Sequence, residues 1–279
     1  MTEQAQAVPV IRIKPSRGWV SLQLGDLWAY RELLVFLAWR DIQVRYKQAT
    51  LGVTWAVLQP LLTVAIFSVI FGRLANLPSE GIPYPVFTLA ALLPWQLFAS
   101  ALQRSGTSLV NSATLLTKVY FPRLAIPTAA TMIGILDFAV SFVLLLIMMV
   151  YYHVSPTLNV LWLPLLTLLA LITSLAVGLW LSALNVRYRD VQQIIPFLAQ
   201  IWMYASPVAY SAGLITTSRW RVVYFLNPMA GVIEGFRWAL LGTEPPGALL
   251  VTSVAVTAVM LVGGLYYFRR MEATFADEV

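Results

Sequence analysis

Apolar residues in this 279-residue chain gather into long, almost unbroken runs separated by short polar stretches. Six runs stand out: Leu51–Phe71, Val86–Leu102, Leu124–Tyr152, Leu158–Leu184, Val191–Tyr210 and Gly247–Phe268. Each is near the ~20 residues that an α-helix needs to cross a bilayer. The pattern therefore predicts an all-α polytopic membrane protein with six transmembrane helices. Pro60, Pro94 and Pro164 fall inside these runs, where a missing N–H is expected to kink the helix. Pro127 lies near the start of the third run, where it is easier to accommodate. The segment Ser211–Pro246 behaves differently. Its runs RWRVVYFL and MAGVIEGFRWALLG are apolar but too short to span, and Asn227-Pro228 separates them. They read as two short re-entrant helices before the last span, dipping into the outer leaflet or capping the bundle. The chain divides into a tail (1–26), an amphipathic stretch (27–49), a six-span unit (50–268) and a short C-terminal tail (269–279).

The stretch WRDIQVRYKQATLGVTWAVLQP, Trp39 to Pro60, puts Arg40, Asp41, Arg45 and Lys47 directly before the first span. As a helix it sets Val35, Ala38, Trp39, Ile42 and Tyr46 on one face, with Arg40, Gln43 and Lys47 opposite. Asp41 and Arg45, four apart, can then pair. Such a helix lies in the membrane interface. The alternation of Ile42, Val44 and Tyr46 with polar residues also fits a strand, but an open strand edge there leaves its backbone unpaired. The same charges also serve simply to orient the first span.

Composition agrees: 59% of residues are hydrophobic and 11% charged, against about 25% charged in soluble domains. With no cysteine and one histidine, His153, the chain offers neither disulfides nor a multi-histidine metal site. The first 20 residues lack the continuous apolar core of a signal peptide. The net charge of +6 matters through its distribution. With six spans, fourteen of the 18 Lys and Arg residues fall on the side of the two termini, which the positive-inside rule places in the cytoplasm.

Within the spans, Asp137 is the conspicuous polar residue, since a carboxylate in hydrocarbon must face water or a partner. It either lines a conduit or bonds across helices. The spans supply no lysine or histidine beside it, and His153 sits at an outer end. The expected outer half is rich in aromatics, including Trp202, Tyr204, Tyr210, Trp220 and Tyr224. Sugar rings stack on such faces, and an ordinary interfacial belt uses them too. Trp202 and Tyr204 fall deeper than a belt requires. Glu234 and Arg237 are three apart and can pair.

Four segments together resemble the polysaccharide-exporting permeases of the ABC-2 transporter type, which serve O-antigen, capsule and teichoic acid export. They are WRDIQVRYKQATLGVTWAVLQP, LLPWQLFASALQRSGTSLVNSATLLTKVYFPRLAIP, NVRYRDVQQIIPFLAQIWMYASPVAY and LNPMAGVIEGFRWALLG. The resemblance covers about residues 27–268. It implies a homodimer of six-span subunits in the inner or plasma membrane, with a separate ABC ATPase chain on the cytoplasmic face of each and a lipid-linked polysaccharide as cargo. The chain has no G-x-x-x-x-G-K-[ST] phosphate loop, so it is expected to be non-catalytic, with ATP and Mg bound by the partner. Membrane lipid, not nucleic acid, is the other expected contact. The loop Ser108–Arg123 resembles a coupling helix, with Lys118, Tyr120, Phe121 and Arg123 as contacts. Arg187, Arg189 and Asp190 form a second cytoplasmic turn. Arg40, Arg45 and Lys47 are candidates to meet the diphosphate of a lipid-linked glycan. Competing readings are an ABC-2 permease for a drug or other lipid, an ion-gradient-driven carrier with several coupled intramembrane ionisable groups, and a membrane enzyme with paired carboxylates.

Overall fold

A computed structural model describes residues 24–47, 52–119, 121–214, 224, 226–272 and 274–275. Among these residues the regular secondary structure is all helical, with no strand. The elements run α1 (Leu24–Ala29), α2 (Arg31–Lys47), α3 (Gly52–Phe67, continued by a π-helical stretch Ser68–Leu74), α4 (Tyr84–Asn111), α5 (Ala113–Lys118), α6 (Ala125–Met132), α7 (Gly134–Tyr151), α8 (Leu163–Arg187, led by a 3₁₀ turn Leu158–Trp162), α9 (Val191–Tyr204), α10 (Pro228–Leu241) and α11 (Ala248–Met271). Five of the helices are long and apolar enough to cross a membrane: Thr54–Leu74, Tyr84–Asn111, Ala125–Tyr151, Leu158–Arg187 and Ala248–Met271.

The fifth expected span is shorter than its apolar run. At 14 residues, α9 is about 21 Å long, less than the ~30 Å hydrocarbon core. The cause is Ser206-Pro207: proline carries no N–H and its ring disfavours helix at the residue before it. The chain nevertheless continues along α4. Ile195 packs at the level of Gly106, Trp202 meets Phe98 edge-on at 5.1 Å, and Ala209 O accepts from the Tyr84 hydroxyl at 2.6 Å.

Other boundaries also shift. α4 runs to Asn111, nine residues past the expected end of the second span, because Gln103, Thr107 and Asn111 continue its helical polar stripe. Arg104 therefore sits on the helix and not in a loop. Pro164 does not interrupt α8 but occupies its first turn, where an N–H is not needed. Pro60 and Pro94 do lie inside helices.

α4 is the buried centre of the bundle and packs most extensively on α8. A Cβ at Gly178 of α8 would strike the Ser105 side chain of α4, so the two helices approach as closely as small residues permit. α8 and α11 run in the same direction. Thr173 and Thr257 hydroxyls are 2.8 Å apart, the Trp180 indole N–H donates to Met260 O at 3.2 Å, and Gly264 lies over Ala176 O. α10 fits among α4, α8 and α11. It starts with an Asn227 cap that accepts from the Met229 N–H at 3.0 Å, and it stops at Gly242 in the left-handed region, as Asn-Pro at one end and glycine at the other dictate.

Helix α2 is formed as expected, but a different face is buried. Leu37 and Ala38 are buried against Ala129 of α6, with Leu33 and Leu34 beside them. Val35, Phe36 and Trp39 are exposed. The apolar residues of α2 thus cover two sides, each spaced as a helical stripe, and packing on α6 selects the side of Leu34, Leu37 and Ala38. Asp41 pairs with Arg40 at 2.8 Å; the Arg45 and Lys47 side chains lie outside those described.

A Gly178→Val change is expected to force α4 and α8 apart and cost about 1–3 kcal/mol. Gly25→Ala, where an added Cβ meets nothing within 4 Å, should leave stability nearly unchanged. Melting temperatures of the detergent-purified variants test the contrast.

Candidate functional site

Along α4, Gln96, Ser100, Gln103, Arg104, Thr107 and Asn111 recur at three- and four-residue steps, so one stripe of an otherwise buried apolar helix is polar. Two cavities open on it. One, of ≈ 550 Å³, lies between α3, α4, α7 and α9, and Gln59, Thr63, Gln96, Gln103 and Ser141 are among its lining residues. The second, of ≈ 300 Å³, lies between α2, α4 and α6 and is lined by Arg40, Asp41, Thr107 and Asn111 together with apolar Leu37 and Ile133. Arg104 borders both cavities. Asp137 of α7 borders the larger one and sits 3.9 Å from the Arg104 guanidinium. Asp137 thus bonds across helices and lines a cavity at once. Arg104 lies beyond the apolar run that ends at Leu102, so hydrophobicity alone does not place it on the helix. The polar stripe, followed past Leu102, was the signal that carries it onto the helix.

The opposite end of α4 holds a second polar construction. Beyond Tyr204 the main chain leaves the helix among buried residues, and its carbonyls lose their helical donors. Arg237 of α10 replaces them. This side chain is fully buried, and it donates to Val208 O and Tyr210 O, each at 2.9 Å. Its plane lies over the Phe87 ring at 3.7 Å. Asn227 donates to Ala205 O at 3.1 Å and accepts from the Trp202 indole at 2.9 Å, and Tyr84 supplies Ala209 O. Glu234 pairs with Arg237 at 3.2 Å, as their spacing predicted, and accepts from the Ala212 N–H at 2.9 Å. Burial pushes the Glu234 carboxyl above its ordinary value, while Arg237 and the Ala212 N–H pull it back.

These contacts decide where several aromatics sit. Trp202 is packed against Phe98 and held by Asn227, and is not among the residues lining either cavity. Tyr204 is exposed. Tyr210 and Tyr224 join a small cluster with Ala230 and Leu249. Trp220 and most of RWRVVYFL lie outside the described residues.

Residues 32–241 of the chain match the ABC-2 type transporter family. The chain belongs to that family. It is 30% identical to the O-antigen export system permease protein RfbA of Myxococcus xanthus, over 91% of this chain and 98% of that protein. It is 31% identical to an RfbA of Klebsiella pneumoniae, over 88% and 94%, and 28% identical to the polysialic acid transport protein KpsM of Escherichia coli, over 84% and 91%. With five helices of spanning length, this ABC-2 transporter chain is an integral membrane protein.

At the Asn111 end of α4, the coupling candidates separate into two kinds. Lys118 and Arg187, Arg189 and Asp190 are exposed, and Arg187 rests on the Tyr188 ring at 5.5 Å. Phe121 is buried in a cluster with Leu109, Val186, Phe268 and Phe275. Arg123 donates to the main-chain oxygen of Glu272. Phe121 and Arg123 thus fasten the loop to the bundle and leave Lys118 and Val119 facing outward. Tyr120 lies outside the described residues.

Arg237→Met is expected to destabilise the protein by about 3–5 kcal/mol, since it strands the Glu234 charge and two main-chain acceptors. Glu234→Gln keeps the oxygen that accepts from Ala212 and should cost less. Arg237→Lys should not rescue, because an ammonium cannot fork to two carbonyls. Thermal unfolding of the three variants ranks them.

Proposed function

We infer that this chain is the permease of an ABC exporter that moves a lipid-linked polysaccharide out of the cytoplasm, with ATP and Mg bound by a separate ATPase. The observation that carries the reading is near-full-length similarity to permeases named for two different glycans, O-antigen and polysialic acid. The polar stripe on α4 supports it, since amide and hydroxyl side chains suit sugar hydroxyls. The permease works as a homodimer with two ATPase copies. Six crossings are made, with α9 and the unwound stretch to Tyr210 serving as the fifth. The parallel run of α8 and α11 supports this count, because the chain between them must return to the starting end. Both termini are cytoplasmic, with α1 and α2 lying at the cytoplasmic interface ahead of the membrane unit. α10 is the re-entrant helix at the outer end.

Coupling runs through the Asn111 end of α4. ATP binding draws the two ATPase chains together, and the exposed residues Lys118, Arg187, Arg189 and Asp190 transmit that movement into α5 and the α8–α9 turn, which share an apolar cluster with the end of α11. Co-expression with a candidate ABC ATPase from the same genome tests the reading. Wild type should co-purify with it, and Lys118→Glu/Arg189→Glu should weaken association about tenfold, as reversal of rim charges does. Arg123 is unsuited to this test because its change would release the Glu272 contact. Absence of any ATPase partner, with transport driven by an ion gradient, would overturn the proposal.

A further inference from the structure

The two cavities on α4 differ in kind, and Arg104 stands where they meet. The larger has a mostly apolar lining interrupted by neutral polar groups, Gln59, Gln96 and Gln103 among them, with Arg104 and Asp137 also on its wall. The smaller contains two guanidiniums, Arg40 and Arg104, beside apolar Leu37 and Ile133. Each guanidinium has a carboxylate neighbour: Arg40 is held by Asp41 at 2.8 Å, and Arg104 faces Asp137 at 3.9 Å. All four side chains are partly exposed, so neither pair is sealed by burial. A charge inside a spanning helix that borders a cavity commonly marks a ligand path.

We propose that the cavity between α2, α4 and α6 is a subsite for the phosphate-bearing head of a lipid, and that Arg104 exchanges Asp137 for that head when it binds. This rests on the polysaccharide-export reading and names where the carrier lipid's diphosphate is held. A diphosphate carries more charge than one carboxylate and offers oxygens in the arrangement a guanidinium fork accepts. Arg40, on the outer wall, meets it first, and Arg104, at the inner wall, receives it. The apolar wall formed by Leu37 and Ile133 takes the first part of the lipid chain. Attached sugars then extend past Arg104 into the larger cavity, where Gln59, Gln96 and Gln103 offer neutral hydrogen-bonding groups. Asp137 acts as a competitor that fills the place of the head while the subsite is empty, and its carboxylate stays at the junction to release the head again.

The two partners should therefore change affinity in opposite directions, which a merely structural ion pair would not do. The measurement is binding of farnesyl diphosphate to the purified full-length permease in nanodiscs, with farnesol and phosphatidylglycerol as comparison ligands. Wild type should bind farnesyl diphosphate and not farnesol. Arg104→Gln should weaken binding at least tenfold, Arg104→Lys less, and Asp137→Asn should tighten it about threefold. If Arg104→Gln does not fold, Arg104→Lys and Asp137→Asn still give the opposed shifts. Equal binding of farnesol, or affinity unchanged in all variants, would overturn the subsite. Loss of binding in both Arg104 and Asp137 variants would show a structural pair and overturn the exchange. Displacement by equimolar phosphatidylglycerol would assign the cavity to bulk phospholipid and overturn its assignment to the carrier lipid. None of these outcomes bears on co-purification with the ATPase, so the subsite can fail while the export reading stands.

Discussion

Between Ala205 and Tyr210 the main chain gives up helical hydrogen bonding inside a bundle that offers little water, and everything at that end of the molecule is arranged to satisfy it. Pro207 enforces the break. Arg237, Asn227 and Tyr84 then supply donors to four successive or near-successive carbonyls. A guanidinium suits this task because its fork reaches two acceptors at once without changing charge state. Its own charge is balanced by Glu234 and covered by the face of Phe87. The position of α10 follows, since Arg237 and Asn227 reach those carbonyls only if α10 lies between α4 and α11. Gly231 and Gly235 allow that close approach, as side chains there would collide with Leu249 and Leu166.

The other end of α4 is built on the opposite principle. There the charges are partly exposed and border cavities. Arg237 and Arg104 are both arginines in an apolar bundle, yet one is locked to main-chain oxygens and the other faces a carboxylate across 3.9 Å. One end thus keeps an irregular backbone closed, and the other carries a polar stripe that borders two cavities. The exposed turn at 187–190 and the fastened loop before α6 stand at that open end, where movement supplied by an ATPase would reach the cavities by way of α4 and α8.

Much of this was readable from local pattern. The apolar runs located the spanning helices, the Asn-Pro and Gly signals bounded α10, and the Glu234–Arg237 spacing foretold their pair. Recognition of the ABC-2 pattern rested on four short segments in order, and the family match follows them. The helical form of α2 was legible as well, but not its buried face, because Val35 and Trp39 are as apolar as Leu34 and Leu37. Only the presence of α6 distinguishes the two sides.

The sequence by itself thus determined that the chain is helical, where its apolar runs lie and which family they form, because hydrophobic periodicity and turn chemistry act over a few residues. The tertiary structure alone decided that Arg104 meets Asp137, that Phe121 is interior while Lys118 is not, that Trp202 is a packing residue, and that Arg237 closes the end of α9. Those outcomes join groups far apart in the chain, Arg237 and Phe87 being 150 residues apart. Which cation finds which acceptor depends on how helices pack, and no local spacing encodes that.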